Sequence, residues 1–274
     1  MSTPFYKMTG SGNDFVMLDG RITTAREWPA ARIQAICDRR RGVGGDGLVV
    51  LGPSSRDTVR MTYWNSDGSE GALCGNAALC GGRLAVALEL VPSGEFSLLT
   101  DAGTVRVRAS AAGEEAEINV PDFETPQEVP GLELAPGERW MVFLTVGVPH
   151  LVIRVEDVHR IDVQGRGRHL RFHDALGSPG ANVSFVSPAA GAGQPWLIRT
   201  YERGVEGETL ACGTGTVAAA VALAWSQEAG LPVRFRTKGG PELAVRGQLR
   251  DSKATGVWLT GQGRLVFRGV WEEG

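Results

Sequence analysis

The chain has 274 residues, enough for one large domain or two smaller ones with cores of their own. Its 42% hydrophobic and 22% charged composition and net charge of -3 are those of a soluble globular protein with no global pull toward nucleic acid or anionic membrane. The longest apolar run, Val217 to Trp225, is far short of the ~20 residues that span a bilayer, and the first residues lack an apolar leader. No nucleic-acid partner, no membrane partner and a cytoplasmic address are therefore expected.

In chain order, Ala30 to Arg39 reads as a helix with the basic cluster Arg39-Arg40-Arg41 at its C-terminal end, where cations suit the dipole. Gly42-Val-Gly44-Gly-Asp-Gly47 spells the dinucleotide fingerprint, but that motif must follow a strand and open a helix. Here it follows a helix-like segment and leads into an apolar strand, Leu48 to Leu51, which argues against nicotinamide or flavin. Short β-branched runs recur at Val59 to Trp64, Thr104 to Arg108, Trp140 to Val146, Trp196 to Tyr201 and Val233 to Thr237, punctuated by Gly and Pro. A boundary is expected near Val120-Pro121-Asp122, and the last strand, near Leu265 to Val270, is expected to return to the first half.

The cysteines are Cys37, Cys74, Cys80 and Cys212, in a chain too large and leaderless for a disulfide scaffold. No Cys-x-x-Cys pair and no Cys/His cluster with zinc spacing is present, so no metal is expected. Cys37 and Cys80 fit the usual reading of cysteine as a buried core residue.

Cys74 and Cys212 differ, because they occupy matched positions. Glu70-Gly-Ala-Leu-Cys74-Gly75-Asn76 resembles Glu208-Thr-Leu-Ala-Cys212-Gly213-Thr214, at an offset of 138 between residues 74 and 212. Gly44 to Val50 matches Gly180 to Val186, and Asn13 to Val16 matches Pro149 to Val152, each at an offset of 136. Three ordered matches at nearly one offset indicate an internal duplication. After each Cys-Gly the chain is rich in helix formers and apolar almost all round, the pattern of a helix buried on every side. A strand-rich shell around one central helix, made twice, fits this layout.

A thiol at the start of such a helix sits among unpaired N–H groups and the positive dipole end, which favour thiolate, while burial opposes it. If the halves pack about a pseudo-twofold axis, the two cysteines face one substrate carbon. One then removes a proton as thiolate and the other delivers one to the opposite face as thiol, the requirement for inverting a stereocentre. The Gly75-Asn76 and Gly213-Thr214 amides can hold the substrate carboxylate between the two helix ends.

Gly10-Ser-Gly-Asn13-Asp-Phe15, Asn65-Ser-Asp-Gly-Ser-Glu70, Leu73-Cys-Gly-Asn76, Glu202-Arg203-Gly204 and Glu208-Thr-Leu-Ala-Cys212-Gly-Thr-Gly215 resemble the segments of diaminopimelate epimerases. The resemblance implies an α/β fold of two duplicated, pseudo-twofold-related domains, each a barrel-like, mostly antiparallel sheet around a buried central helix. The domains are expected at 1–120, joined by 264–274, and at 121–263, with the active site in the cleft between them. It implies interconversion of LL- and meso-diaminopimelate for lysine and peptidoglycan precursors, without pyridoxal phosphate or any other cofactor, and usually a homodimer. Carried over by motif position, Asn13, Asn65, Asn182 and Arg203 contact substrate, Glu202 accepts from its ammonium, and His150 supports the site. Arg203 suits a distal carboxylate through its guanidinium fork. The chain departs from the family at Val148, where Asn is common, at Gly47, where some members have Gln, and in the extra residue of Val205-Glu206.

Rival readings remain distinct. A pyridoxal-phosphate racemase needs a Schiff-base lysine, and Lys7, Lys238 and Lys253 have no convincing setting. A cysteine hydrolase based on His150 leaves the second cysteine unexplained. A racemase of another amino acid, of histidine or proline type, shares the proton-transfer machinery, and a non-catalytic amino-acid-binding protein shares the helix ends.

Overall fold

A computed structural model describes residues 2–191 and 193–273. The chain divides into two compact units, Met1–Asn119 with Thr260–Gly274, and Val120–Leu259. Among the described residues no helix is long and apolar enough to cross a membrane.

The first unit carries β1 (Ser2–Gly10), β2 (Asn13–Asp19), α1 (Ala30–Cys37), β3 (Gly47–Ser55), β4 (Thr58–Asn65), the two-residue β5 (Glu70–Gly71), α2 (Gly75–Ala87), β6 (Gly94–Thr100), β7 (Gly103–Ala109) and β8 (Glu115–Val120). β1 pairs antiparallel with β2, β2 parallel with β3, β3 antiparallel with β4, β4 parallel with β6, and β6 antiparallel with β7, which pairs antiparallel with β8. Leu48 to Leu51 are buried in succession because β3 is covered on both faces, with α1 and its core on one side and α2 on the other. α2 packs against β1, β2, β3, β4 and β7, so the sheet wraps it. Its small residues make that possible: a Cβ at Gly82 would lie 2.5 Å from Val107 on β7.

The second unit repeats the order with β9 (Phe123–Glu124), β10 (Glu138–Val146), β11 (Val148–Val155), α3 (Val163–Arg171), β12 (Asn182–Ser187), β13 (Trp196–Glu202), β14 (Gly207–Thr209), α4 (Gly213–Trp225), β15 (Val233–Arg236), β16 (Glu242–Arg250) and β17 (Lys253–Gln262). β11 pairs parallel with β12, β12 antiparallel with β13, β13 parallel with β15, and β15 antiparallel with β16. This is the pairing sequence of β2, β3, β4, β6 and β7. The register repeats too: Phe15 faces Gly47 and Leu151 faces Val183, which are the positions matched by the 136-residue offset. α4 packs on β10, β11, β12, β15 and β16, and Val217 to Leu223 are fully buried. Each such Val or Leu contributes about 1.5–3 kcal/mol of burial.

The last three residues of β17 belong to the first unit, where Thr260 donates to Glu117 (3.1 Å) and Gln262 to Glu114 (2.7 Å) beside β8. β18 (Arg264–Glu272) then pairs antiparallel with β1 along its whole length. The duplicated α/β architecture, mostly antiparallel with one buried helix per unit, is the one expected from the sequence.

Two local details differ from the sequence reading. α1 ends at Cys37 rather than Arg39, because Asp38 leaves the helix (φ -62°, ψ 121°) and its carboxylate accepts from the Arg40 and Arg41 N–H groups. Arg39 is thus freed from the helix surface for another use. α3 has no clear apolar signal and contains two glycines, yet it forms. Asp162 caps it by accepting from the Gly165 N–H (2.9 Å), and Gly167 lets it lie on Tyr201, whose Cβ would be 2.6 Å from an added side chain.

Candidate active site

In the first unit, Cys74 is the N-cap of α2, in extended conformation (φ -127°, ψ 122°), and its carbonyl accepts from the Ala78 N–H at 2.9 Å. The cysteine is half-buried, and the N–H groups of Gly75 and Asn76 belong to the first helical turn, which has no acceptor within the helix. Asn76 is buried and donates through Nδ2 to Asn13 Oδ1 (2.7 Å); Asn13 Nδ2 donates to Asp46 (2.9 Å). Arg39 bridges Asp46 (2.7 Å) and Asp14 (2.6 Å), and Lys7 donates to Asp14 and to the Gly44 carbonyl. Burial alone would raise the Asp14 carboxyl, but Arg39 and Lys7 outweigh it and hold the group below its ordinary value. Asn65 ends β4 and holds its own turn, accepting from the Tyr63 hydroxyl and donating to Ser69, both at 2.9 Å.

In the second unit, Cys212 is the N-cap of α4 in nearly the same conformation (φ -125°, ψ 111°). Its Sγ accepts from the Gly215 N–H at 3.4 Å and lies 3.7 Å from the Thr214 hydroxyl. Gly215 must stay bare, since a Cβ would stand 3.0 Å from Ser184 Oγ and 3.2 Å from the cysteine sulfur. Glu202 closes β13 beside this thiol. Burial raises its carboxyl, while hydrogen bonds from Thr209 and from Cys212 partly offset that rise. The sequence reading gave Glu202 to a substrate ammonium; the structure adds that it is a hydrogen-bond partner of the thiol itself.

His150 on β11 and Asn182 on β12 are direct neighbours across the parallel pair. Asn182 Oδ1 accepts from the Arg203 N–H at 2.7 Å, which fixes the turn that presents Arg203. Among the described residues the Arg203 guanidinium forms no ion pair, so a half-buried cation stands open to an anionic ligand. His150 is fully buried and, among the described residues, neither ring nitrogen has a hydrogen-bond partner. Burial, helped by the Arg203 charge, pushes its pKa down to about 3, so the ring is neutral at physiological pH.

That shift makes a stability prediction. The unfolded chain binds a proton near pH 6.5 that the folded chain refuses until about 3, so stability falls as pH drops through this window. Between pH 7 and pH 5 wild type should lose about 2 kcal/mol from this residue. His150→Leu should flatten that part of the acid limb in urea unfolding; an unchanged slope would place the acid sensitivity elsewhere.

Cys37 and Cys80 belong to the scaffold. Burial pushes the Cys37 thiol up to about 11 and the Cys80 thiol well above its ordinary value, so both keep their protons. Glu208, the repeat mate of Glu70, is tied to Arg199 and Lys238. Among the described residues no group of three or more His, Cys, Asp or Glu could hold a metal ion.

Among the positions that depart from the resembled segments, Gly47 has a local cause. A side chain at Gly47 would meet the Trp64 carbonyl at 2.4 Å and the Tyr63 ring at 2.6 Å, so Tyr63 occupies that space. In the turn after β13 that holds Val205-Glu206, Glu206 takes a left-handed conformation (φ 54°) and pairs with Arg171 at 3.1 Å. Val148 opens β11 opposite Val146.

Sequence reasoning missed Asp46, Arg39 and Tyr63. Asp46 sits within a glycine-rich segment that spelled only a misplaced dinucleotide fingerprint, and Arg39 within a basic run that read as a helix C-terminal charge patch. The one available signal was the repeat, which matches Asp14 and Asp46 with His150 and Asn182.

The family model for diaminopimelate epimerase matches residues 5–122 and 142–262. The diaminopimelate epimerase of Gemmatimonas aurantiaca is 42% identical, covering 97% of this chain and 98% of the relative. That of Aquifex aeolicus is 35% identical, covering 98% of each. Among solved structures, the Bacillus anthracis phenazine biosynthesis protein of the PhzF family aligns over 98% of this chain and 99% of its own, with a TM-score of 0.74 at 13% identity, a likeness of fold alone. With two cysteine-capped central helices and near full-length identity of this order, the chain belongs to the diaminopimelate epimerase family and is an isomerase.

Proposed function

We propose that this protein interconverts LL-2,6-diaminopimelate and meso-diaminopimelate by two-base proton transfer, in the supply of lysine and peptidoglycan precursors. The observation that carries the reading is the matched placement of Cys74 and Cys212 as N-caps of the two buried helices. The α-hydrogen of an amino acid is a very weak acid, and its removal moves charge onto the adjacent carboxylate. First-turn N–H groups at Gly75, Asn76, Gly213 and Thr214 suit that carboxylate and stabilise the charge as it develops. One cysteine, as thiolate, takes the proton; the other, as thiol, gives one to the opposite face, and the two states swap in reverse. Glu202 serves the Cys212 end, since a carboxylate acceptor can hold or receive the thiol proton. Arg203 and Asn182 suit the distal amino-acid end, where an open guanidinium matches a second carboxylate.

The test is incubation of purified protein in D2O with LL-diaminopimelate, meso-diaminopimelate, proline, histidine and glutamate, without added cofactor, followed by proton NMR. Deuterium entering the α position of diaminopimelate, with both isomers appearing from either one, is the expected outcome. Exchange into proline or histidine in its place would move the substrate assignment, and exchange into none would favour a binding protein.

A further inference from the structure

Among the described residues Asn76 Oδ1 is a buried acceptor with no donor, on a residue that is 4% exposed and lies two positions after Cys74. Its orientation is set by a chain of forced choices. Asp46 is a carboxylate and can only accept, so the end of Asn13 facing it must be the NH2. Asn13 therefore turns its oxygen to Asn76, which must answer with its own NH2 (2.7 Å) and is left with its oxygen unmatched. Asp46 is itself fixed: one oxygen accepts from Arg39 at 2.7 Å, the other also accepts from the Asp14 N–H at 3.2 Å, and its own N–H donates to the Asp14 carbonyl at 2.7 Å. An unmatched buried acceptor is costly, and a chain that maintains one points to a ligand donor.

We infer that Asp46, held by Arg39, is a positioning residue that sets the amides of Asn13 and Asn76 so that Asn76 Oδ1 accepts from the substrate ammonium at the carbon served by Cys74. This rests on the amino-acid epimerase reading above, which supplies the ammonium. Asp46 touches no substrate; it acts through two amides. A neutral amide at position 46 turns its oxygen to Arg39 and its NH2 toward Asn13, which removes the constraint on the whole chain.

Asp46→Asn tests the inference, with folding checked by its thermal midpoint. KM for diaminopimelate should rise at least about tenfold with kcat changed far less, the signature of a lost ground-state contact to a charged group. In the substrate-free protein, the side-chain NH2 resonance of Asn76 should shift. The exchange variant Asn13→Asp with Asp46→Asn keeps the net charge and restores the order of donors and acceptors from position 46 through 13 to 76, though not the acceptor for the Asp14 N–H, so the Asn76 resonance should return toward its wild-type position. An Asn76 resonance unmoved by Asp46→Asn, a resonance not restored by the exchange, or a shifted resonance with unchanged KM would each overturn the inference. The NMR arm needs no substrate, so a failed diaminopimelate assignment is told apart from a failed relay; KM is then measured on the amino acid that does exchange.

Discussion

Cys212→Ala is expected to lower epimerisation of diaminopimelate at least about a thousandfold, because a positioned acid or base contributes some 10²–10⁴-fold and nothing replaces it on that face. The fold should survive. The sulfur is an N-cap acceptor for a single N–H at 3.4 Å, a contact whose loss costs about 0.5–2 kcal/mol. Cys74→Ala should cause a similar loss. The two variants differ in what they retain. With one thiol gone, the other can still remove and return a proton on its own face, so solvent deuterium enters one isomer without inversion. Cys74→Ala and Cys212→Ala should therefore exchange opposite isomers, and the double variant should invert no more slowly than either single one. Inversion near the wild-type rate in either variant, or exchange of the same isomer by both, would sink the two-base mechanism.

The helix-start cysteines were legible in the sequence because a repeat encodes position twice. Cys-Gly before an apolar helix is ambiguous once and informative at two matched sites, and the structure gives both the same N-cap conformation. The strands themselves were legible too, since β-branched runs between Gly and Pro mark strands whichever neighbours they find, whereas their order was not. The polar support of the site was not. Asp46 is 32 residues from Asp14 and 33 from Asn13, and Arg39 is 25 from Asp14, separations no local pattern announces, and they meet only when β2 and β3 pair in register. Tyr63 likewise read as one more aromatic in a strand. Its ring lies where side chains at Gly47 and Gly71 would stand, and its hydroxyl reaches Asn65. Side-chain networks of this kind depend on tertiary register, whereas caps and central helices are written locally.

Glu202→Gln is expected to separate stability from activity. Burial raises the Glu202 carboxyl above its ordinary 4.5 despite hydrogen bonds from Thr209 and Cys212. An acid whose folded pKa exceeds its unfolded value binds more protons when folded, so its contribution is fully present below 4.5 and is lost as pH rises through the folded value. At pH 8 the wild-type protein therefore keeps a buried carboxylate at a cost. Gln removes that charge and retains an oxygen for the Thr209 hydroxyl, so the thermal midpoint at pH 8 should rise. Below pH 4.5 the two proteins should converge. Activity should move the other way, falling about ten- to a hundredfold, because a neutral oxygen is a weaker acceptor for the Cys212 proton than a carboxylate. Calorimetry at both pH values with initial rates at pH 8 checks the pair of effects. A lower midpoint at pH 8 would make Glu202 a scaffold carboxylate, whereas a higher midpoint with lost turnover is what a strained catalytic group gives, stability held back at the one place where a proton has to move.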